Sequence, residues 1–450
     1  MTAVVIRGGT VVDETGWRRA DVAVEGGAVA RVEPDLAVPA GAQVLDAGGC
    51  VVAPGLVDLH SHLRQPGHEE AETIESGARA AALGGYTAVV AMPNTEPPID
   101  CASVVREVVE LASGAACEVH PAGAITAGRA GTALAPLAEM AALGVRLFTD
   151  DGTGVQDGRL MRRALEYASG LGVVLAQHCE ESALAAGGHM HEGAWSARLG
   201  IPGVPAEAEE VMVARDVALC RLTGCPVHFL HLSTARSVGL VRTAKAEGLP
   251  VTAEVTPHHL SLTDAVVAGY DPLYKVSPPL RPASDVAALK AAAVDGTVDA
   301  VATDHAPHPK EDKEVAFDQA PPGMVGLETA LAVTLTELAG PLSVRSTRTE
   351  LVERADTGSD GRLALGGVLA LLSWQPARIA GLGAAHGGPV AEGRPANLCV
   401  IDPTARWQVD PARLASRSRN TAFGGRTLTG RVRHTVLWGE PVVVDAEARR

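Results

Sequence analysis

The chain has 450 residues, of which 46% are hydrophobic and 3% aromatic, and its formal net charge at pH 7 is −15. A chain of this length and composition can bury a large core, and it favours two domains, or a barrel with an accessory domain, over one average domain. The acidic balance argues against partners such as nucleic acids and anionic membranes.

The cysteines and the N-terminal sequence are informative about the cellular compartment of the protein. The seven cysteines are scattered without a CxxC pair, which is typical of a reducing environment. The N-terminus has no basic segment followed by an apolar run and a cleavage site, and no apolar stretch reaches membrane-spanning length. We therefore expect a cytoplasmic protein.

The two ends of the chain have a similar pattern of short apolar runs between Gly and Asp turns. Residues 1–54 begin with "VVIRGGTVVD", and residues 390–450 contain "ANLCVID" and "RVRHTVLWGEPVVVD". Such runs predict short strands. We expect one small discontinuous β domain built from both ends, around a central domain at 55–389. Two separate β tails are the alternative.

The central part alternates short apolar runs with longer amphipathic stretches such as "ETIESGARAAALG", "RLMRRALEYASGLG" and "EAEEVMVARDVALCRLTG". The predicted strands lie at 56–60, 86–91, 118–123, 145–149, 173–177, 227–230, 251–255 and 299–303. This order predicts an α/β fold, and the number of strands favours a (β/α)₈ TIM-type barrel. An open, doubly wound sheet would give a similar alternation.

Polar side chains follow almost every predicted strand, where a barrel of this type carries its active site. They are His60, His62, Arg64, Asn94, Asp150, Asp151, His178, His231, Ser277, Asp304, His305 and His308. A single histidine at a strand end is usually structural. His60 and His62 carry more weight, because residues i and i+2 of a strand point to the same side.

Four of these histidines and two aspartates form a candidate metal centre. Imidazole nitrogens and carboxylate oxygens are ligands that Zn²⁺ accepts. Six ligands exceed what one catalytic zinc with an open position needs, so the set favours two ions that share a bridging carboxylate and a bridging hydroxide. The predicted chemistry is metal-assisted hydrolysis of an amide, ester or related centre, with Asp304 in position to shuttle the proton.

These motifs resemble the amidohydrolase superfamily and, within it, the class I dihydroorotases. The resemblance runs nearly from end to end, and its specific motifs are "DLHSHLRQPG", "GGYTAVVAMPNT", "FTDDG", "AEVTPHHL" and "ATDHAPHPKEDK". It implies reversible cyclisation of N-carbamoyl-L-aspartate to (S)-dihydroorotate in de novo pyrimidine biosynthesis.

The resemblance also implies a ligand set for two Zn²⁺ ions. It assigns His60 and His62 to the more buried ion, His178 and His231 to the other, Asp151 to both, and Asp304 to the first. Asp304 would act as general base and then as general acid. Asp151 stands where many relatives have a carboxylated lysine, so we predict no lysine carboxylation. Asp150 is the weaker candidate, because adjacent strand residues face opposite ways.

Substrate contacts follow from the same resemblance. Arg64, with Asn94, would bind the substrate carboxylate, for which a guanidinium fork is well suited. His308, Pro322 and Gly323 would supply further contacts, the last two through their backbone. Ser277 departs from the asparagine that dihydroorotases usually have in this motif, and its hydroxyl offers fewer donors.

Ser277 keeps two alternatives open. Another cyclic amidohydrolase, of the allantoinase or hydantoinase type, often has serine at this place, although such enzymes usually lack the HxHxR arginine. A non-catalytic partner of aspartate transcarbamoylase is the second alternative, against which the occupied ligand positions count. A homodimer and association with aspartate transcarbamoylase are the assemblies considered. We expect His258, His259 and His305 to be structural, and residues 310–313 to form a solvated charge cluster.

Overall fold

The structure is a computed structural model that describes residues 3–339 and 362–450. The predicted domain boundaries, at 54/55 and 389/390, lie in the described part, whereas part of the predicted central domain does not. Within the described ranges, none of the helices combines the length and the apolar character needed to cross a bilayer.

The N-terminal segment forms short strands separated by tight turns. Its strands are β1 (Val4–Arg7), β2 (Thr10–Asp13), β3 (Gly16–Arg19), β4 (Asp21–Glu25), β5 (Ala28–Glu33), β6 (Gln43–Asp46) and β7 (Val51–Pro54). Four of them make a sheet in the order β5-β4-β1-β6, in which β1 and β6 are parallel and the other pairs antiparallel. The prediction of short strands in this segment is confirmed.

The C-terminal strands are β18 (Leu398–Gln408), β19 (Thr427–Leu437), β20 (Glu440–Val444) and β21 (Glu447–Ala448). They join N-terminal strands in one sheet of order β21-β20-β19-β18-β7-β2-β3. β18 pairs antiparallel with β7, placing Cys399 opposite Ala53. One apolar cluster also takes side chains from both chain ends, among them Val4, Val52, Val400 and Val436. The two chain ends are therefore neighbours in the structure, as their similar pattern of short apolar runs suggested.

The eight predicted central strands are all present, as β8 (Leu56–Ser61), β9 (Tyr86–Ala91), β10 (Glu118–Pro121), β11 (Leu147–Phe148), β12 (Val174–Gln177), β15 (Val227–Phe229), β16 (Val251–Val255) and β17 (Ala300–Val301). They pair in parallel, in the orders β10-β9-β8 and β11-β12-β15-β16-β17. Isolated parallel bridges join Gly123 to Phe148 and Ser61 to His305. β10, β11 and β17 are shorter than predicted, although Ala122 N and Ala302 N still donate to the neighbouring strands just beyond β10 and β17.

Helices connect these strands, and their bounds are α1 (Ile74–Leu83), α2 (Ala102–Leu111), α3 (Leu137–Ala142), α4 (Gly158–Ala168), α5 (Ser182–Ala185), α6 (Ala194–Leu199), α7 (Glu207–Thr223), α8 (Ala235–Ala246), α9 (Pro257–Ser261), α10 (Ala283–Val294), α11 (Lys310–Lys313), α12 (Ala330–Leu338), α13 (Leu365–Leu372) and α14 (Trp374–Ile379). The remaining two strands, β13 (Met190–His191) and β14 (Gly203–Val204), pair with each other in the loop between β12 and α7. The three helices predicted from amphipathic stretches correspond to α1, α4 and α7.

Helix starts and packing follow from the sequence locally. Thr73, Asp157 and Thr234 each accept a hydrogen bond from a backbone N–H of the first turn of α1, α4 and α8, respectively, which satisfies a donor that has no partner within the helix. The largest apolar cluster lies between the inner faces of the helices and the central strands. This packing buries the strands on both sides, so their polar residues collect at the strand ends.

Candidate metal centre and active site

The six predicted ligands converge at the carboxyl ends of the central strands. They are His60 and His62 at the end of β8, Asp151 after β11, His178 after β12, His231 after β15 and Asp304 after β17. All six are buried. Within the described chain, five of the six supply two groups of three ligand atoms, and the atoms of each group lie within 4.8 Å of one another. Asp151 belongs to both groups, and Asp304 lies beside the group that contains His60 and His62. The structure thus brings together the complete predicted set.

The first group faces both oxygens of Asp151 and one oxygen of Asp304. His60 Nε2 lies 3.4 Å from Asp151 Oδ1, and His62 Nε2 lies 3.5 Å from Asp151 Oδ2. Asp304 Oδ1 closes the group, at 3.1 Å from His62 Nε2 and 3.6 Å from His60 Nε2. Two imidazoles and two carboxylates therefore face a common point.

The second group lies on the other side of Asp151. His178 Nδ1 and His231 Nε2 are each 3.5 Å from Asp151 Oδ1, and they are 3.0 Å from each other. The two rings are nearly perpendicular, at 82°. Both nitrogens thus point to the same carboxylate oxygen that His60 approaches.

The donor set fits a metal by an independent observation. His60 Nε2 and Asp151 Oδ1, which lie 3.4 Å apart, are buried side-chain atoms without a hydrogen-bond partner in the described chain. Leaving a buried polar atom unsatisfied costs about 1–3 kcal/mol, so such atoms rarely cluster without a reason. A cation between them would use the lone pairs of His60 Nε2 and Asp151 Oδ1.

The carboxylates of this cluster are ionised at neutral pH. Burial by itself would raise the pKa of Asp151, but His60 and the nearby rings of His178 and His231 hold it well below its usual range. Asp304 follows the same pattern, because His60 and His62 outweigh burial and lower its pKa. Burial opposes a proton on His60 too, yet Asp151 raises the pKa of that ring well above its usual value. Both aspartates can therefore act as oxygen ligands.

Three candidate site residues have a left-handed backbone. The φ angles are 62° at Arg64, 32° at His231 and 45° at Asp304. Such angles are uncommon for residues other than glycine and cost on the order of 1–3 kcal/mol each. Strain of this kind concentrates where a side chain must be aimed, and here it falls on residues that directly follow strands.

The far nitrogens of the first histidine pair are held by acceptors. His60 Nδ1 lies 3.0 Å from Glu254 Oε1, and His62 Nδ1 lies 2.9 Å from Asn94 Oδ1. Such partners fix the ring orientation and tautomer of a metal-binding histidine. Burial would raise the pKa of Glu254, but hydrogen bonds from His228 and His60 lower it to about 2.

Sequence reasoning missed Glu254. The available signal was a single carboxylate inside the apolar strand "VTAEV", where a charge needs a buried partner. Asn94 was predicted as a substrate contact, and the structure places its oxygen against His62 instead. Its amide nitrogen takes no part in that bond, so the substrate role stays a prediction.

Arg64 lies beside the cluster and forms no ion pair among the described residues. Its Nε donates to Pro307 O at 3.1 Å, and its Nη2 is 3.5 Å from His308 Nε2. Burial lowers the pKa of the guanidinium, although the side chain stays charged.

The remaining predicted substrate residues line the same region. His308 Nε2 lies 2.8 Å from Pro322 O, and Gly323 N donates to Lys275 O at 2.8 Å. Gly323 has a φ of 133°, and a Cβ there would lie 2.7 Å from the Ala306 methyl, so no side chain fits. Ser277 Oγ is 3.4 Å from Glu180 Oε2.

Asn420 is a second residue that the sequence did not reveal. Its amide nitrogen donates to Ala306 O at 3.0 Å and to Gly323 O at 3.2 Å, while its oxygen accepts the His308 N–H. It therefore holds the two loops that carry His308 and Gly323. Nothing in "SRSRNTAFGG" distinguishes this asparagine from a residue in a surface turn.

The expectation for residues 310–313 was wrong at Lys313. Lys310, Glu311 and Asp312 are exposed, whereas Lys313 is buried. Its ammonium donates to Pro321 O at 2.6 Å and to Pro272 O at 3.3 Å. Burial lowers the pKa of Lys313 to about 7. One turn of helix α11 points this side chain inward, which charge patterning cannot show.

Other polar residues near the site form hydrogen bonds with residues outside the two ligand groups. Asp150 accepts the backbone N–H groups of Ile125 and Thr126 and lies outside both ligand groups. His305 Nε2 lies 3.3 Å from Glu72 Oε2, and His259 Nε2 lies 3.0 Å from Pro278 O. These contacts agree with structural roles for His305 and His259.

Comparison with known proteins identifies the family. A family model described as dihydro-orotase-like matches residues 49–237. A dihydroorotase from Streptomyces coelicolor is 50% identical over 450 residues, covering 99% of this chain and all of that protein. A dihydroorotase from Mycobacterium tuberculosis is 48% identical over 434 residues, covering 96% of each chain.

Solved structures give the same fold class. An L-hydantoinase (dihydropyrimidinase) from Arthrobacter aurescens superposes with a TM-score of 0.84 at 25% identity, covering all of this chain and 98% of the other. A D-hydantoinase from Bacillus sp. AR9 gives a TM-score of 0.82 at 26% identity, with 99% and 96% coverage. The resemblance drawn from the motifs is confirmed, and the chain belongs to the dihydroorotase family.

Proposed function

We propose that this chain is a metal-dependent dihydroorotase, which interconverts N-carbamoyl-L-aspartate and (S)-dihydroorotate reversibly in pyrimidine biosynthesis. One observation carries the proposal: two ligand groups share Asp151 beside the guanidinium of Arg64, which forms no ion pair within the described chain. The identity of about half to dihydroorotases over the full chain supports the same reaction.

The proposal includes the architecture that holds this site. The central strands form a closed (β/α)₈ barrel over residues 55–389, and residues 1–54 and 390–450 form one small β domain. The isolated bridges between Gly123 and Phe148 and between Ser61 and His305 support closure, because they join the two groups of parallel strands. The sheet shared by the chain ends supports the discontinuous domain.

The cofactor in this proposal is two Zn²⁺ ions. His60, His62 and Asp304 hold one, His178 and His231 hold the other, and Asp151 contributes to both. When bound, the ions polarise a carbonyl and lower the pKa of bound water. The nitrogen and oxygen donors suit zinc, and Asp151 belongs to both ligand groups. That no lysine is carboxylated stays a prediction.

The chain's own residues bind the substrate and move the proton. Arg64 binds the carboxylate of dihydroorotate, with Asn94, Ser277, His308 and the backbone of Pro322 and Gly323 as further contacts. Asp304 accepts a proton from the attacking water. It returns that proton to the ring nitrogen as the carbon–nitrogen bond breaks, and cyclisation follows the reverse path.

A second cyclic amide is the alternative substrate. Ser277 favours it, as do the hydantoinases among the structural neighbours. Arg64 favours dihydroorotate, because a guanidinium placed for a substrate carboxylate gives no advantage with an uncharged ring. A non-catalytic role beside aspartate transcarbamoylase fits poorly with a complete ligand set. A homodimer, association with aspartate transcarbamoylase and a cytoplasmic location stay predictions.

The test is the loss of ultraviolet absorbance when (S)-dihydroorotate is opened by zinc-loaded and chelator-stripped protein. We expect metal-dependent ring opening and no comparable turnover of hydantoin or allantoin. Arg64→Met tests the proposed contact with the substrate carboxylate. It should raise the KM for dihydroorotate while the metal content stays the same. Hydantoin or allantoin turnover without dihydroorotate turnover, at full metal content, would overturn the proposed substrate.

A further inference from the structure

A second cluster of metal-ligand residues lies at the opposite end of the central strands. Glu118 is the first residue of β10, and His120 follows it by two positions. His386 contacts Thr87, the second residue of β9, through Nδ1 and Oγ1 at 3.0 Å. The cluster is therefore at the amino ends of these strands, whereas the proposed catalytic ligands lie at the carboxyl ends.

The geometry of the three side chains suits one small cation. Glu118 Oε1 lies 3.3 Å from His120 Nε2, and Glu118 Oε2 lies 3.1 Å from His386 Nε2. One ligand atom from each residue falls within 4.8 Å of the other two. Two imidazoles and one carboxylate are a common donor set for divalent transition metals.

An unsatisfied nitrogen supplies an independent indication. His120 Nε2 is buried and has no hydrogen-bond partner in the described chain, although Glu118 Oε1 is only 3.3 Å away. The two atoms are close without the alignment that a hydrogen bond needs. A buried nitrogen in this state costs free energy, and a cation between nitrogen and carboxylate would remove that cost.

Neighbouring groups would orient the ligands. Thr87 Oγ1 can accept a proton from His386 Nδ1, which leaves Nε2 as the metal-binding nitrogen. Trp438, in the turn between β19 and β20, donates its indole N–H to Glu118 Oε2 at 2.8 Å. A cavity of about 520 Å³ borders Glu118, His120 and Trp438, so water could complete the coordination.

We propose that Glu118, His120 and His386 form a binding site for a divalent transition metal of the Zn²⁺ type, separate from the catalytic centre. The site is structural. It ties β10 to the segment after α14 and, through the indole of Trp438, to the C-terminal sheet. The competing explanation is a hydrogen-bonded tie between Glu118, His386 and Trp438 that needs no ion.

The test counts Co²⁺ ions bound by the full chain, using the visible absorption of protein-bound Co²⁺ during titration of metal-stripped protein. We expect His120→Ala to bind one equivalent less than the wild type, and Glu118→Gln to show the same loss. His68→Ala removes an exposed histidine and is the matched control, which should bind as many ions as the wild type. Ring opening by His120→Ala should stay within about twofold of the wild type, because the site lies at the opposite end of the strands.

Circular dichroism of each variant establishes that it is folded. Folded His120→Ala or Glu118→Gln protein that binds as many Co²⁺ ions as the wild type overturns the proposal. A second readout is thermal unfolding of protein whose catalytic centre is already loaded. Further Zn²⁺ should raise the Tm of the wild type but not that of His120→Ala, and an equal rise in both would also overturn the proposed site.

Discussion

The two histidine pairs that flank Asp151 are supported differently. In the first pair, His60 and His62 each have their far ring nitrogen against an acceptor, Glu254 or Asn94. In the second pair, His178 Nε2 is buried and has no hydrogen-bond partner in the described chain. Acceptors of this kind orient the ring and increase its basicity. The first pair is therefore the more preorganised, and we expect the ion it holds to be the tighter bound.

Asp151→Asn should remove the expected difference in affinity between the two ions, because this side chain belongs to both ligand groups. A neutral amide contributes less to binding either cation. Losing several kcal/mol of transition-state stabilisation corresponds to a fall in kcat of about 10³-fold or more. Metal analysis should show loss of both ions. Asp150→Asn is the control for a buried aspartate in the same loop, and near-normal rates in Asp151→Asn would contradict the shared-ligand role.

Glu254→Gln should weaken the first pair more than the second, because Glu254 contacts the ring of His60 but only the backbone N–H of His231, at 3.3 Å. It removes the charge opposite His60 Nδ1 while keeping the size of the side chain. Loss of such a partner typically lowers metal affinity or activity 10–100-fold, and we expect about 100-fold here because the carboxylate is fully buried. Stepwise removal of metal with a chelator should show the first ion leaving more readily. Glu328→Gln changes a half-buried carboxyl that belongs to neither ligand group and accepts the backbone N–H groups of Ala415 and Ser416, so it should leave both affinities unchanged.

Asn94→Ala should have a smaller effect on the same pair. It removes the neutral acceptor of His62 Nδ1, and we expect about a tenfold loss of affinity for the first ion. Asn94→Asp keeps an oxygen acceptor at this place and should retain the metal. If both variants retain it and only KM rises, Asn94 contacts substrate alone and does not position His62.

Lys313→Met should leave both pairs intact and alter stability instead. Burial lowers the pKa of Lys313 to about 7, against about 10.4 in an unfolded chain. Between these values the unfolded state binds the extra proton, so the lysine makes the folded state more stable as pH rises, by at most about 1.4 kcal/mol per pH unit. Denaturant unfolding at pH 7 to 9 should therefore show the wild type gaining stability relative to Lys313→Met. The exposed Lys310→Met should parallel the wild type, and a pH-independent difference for Lys313→Met would contradict the shifted pKa.

Much of the ligand set was predictable because it is encoded locally. Each proposed ligand lies at the end of a buried apolar strand or within three residues after it, and parallel strands bring such positions to one edge. The His60 and His62 pair could be interpreted from strand periodicity alone. The same rule indicates that Asp150 and Asp151 face opposite ways, and the family resemblance implied that Asp151 is the ligand. The structure directs Asp150 to the backbone of Ile125 and Thr126.

The residues that orient the ligands were harder to predict from the sequence. Glu254 lies 194 positions from His60, and Asn420 lies 97 positions from Gly323. Neither belongs to a short motif with a recognisable spacing. Lys313 was misjudged because the charge pattern of "PKEDK" does not show which side of a single helical turn faces inward.

The amino-acid sequence by itself determined the order of strands and helices, the polar residues at the strand ends and the family, because hydrophobic periodicity and strand-end motifs are local properties. Only the tertiary structure decided which distant groups meet. Glu118 and His386, 268 positions apart, share a cluster because β9 and β10 pair in parallel, with the segment after α14 packed against their amino ends. Sequence separation carries no information about such contacts, because chain topology and packing bring these side chains together.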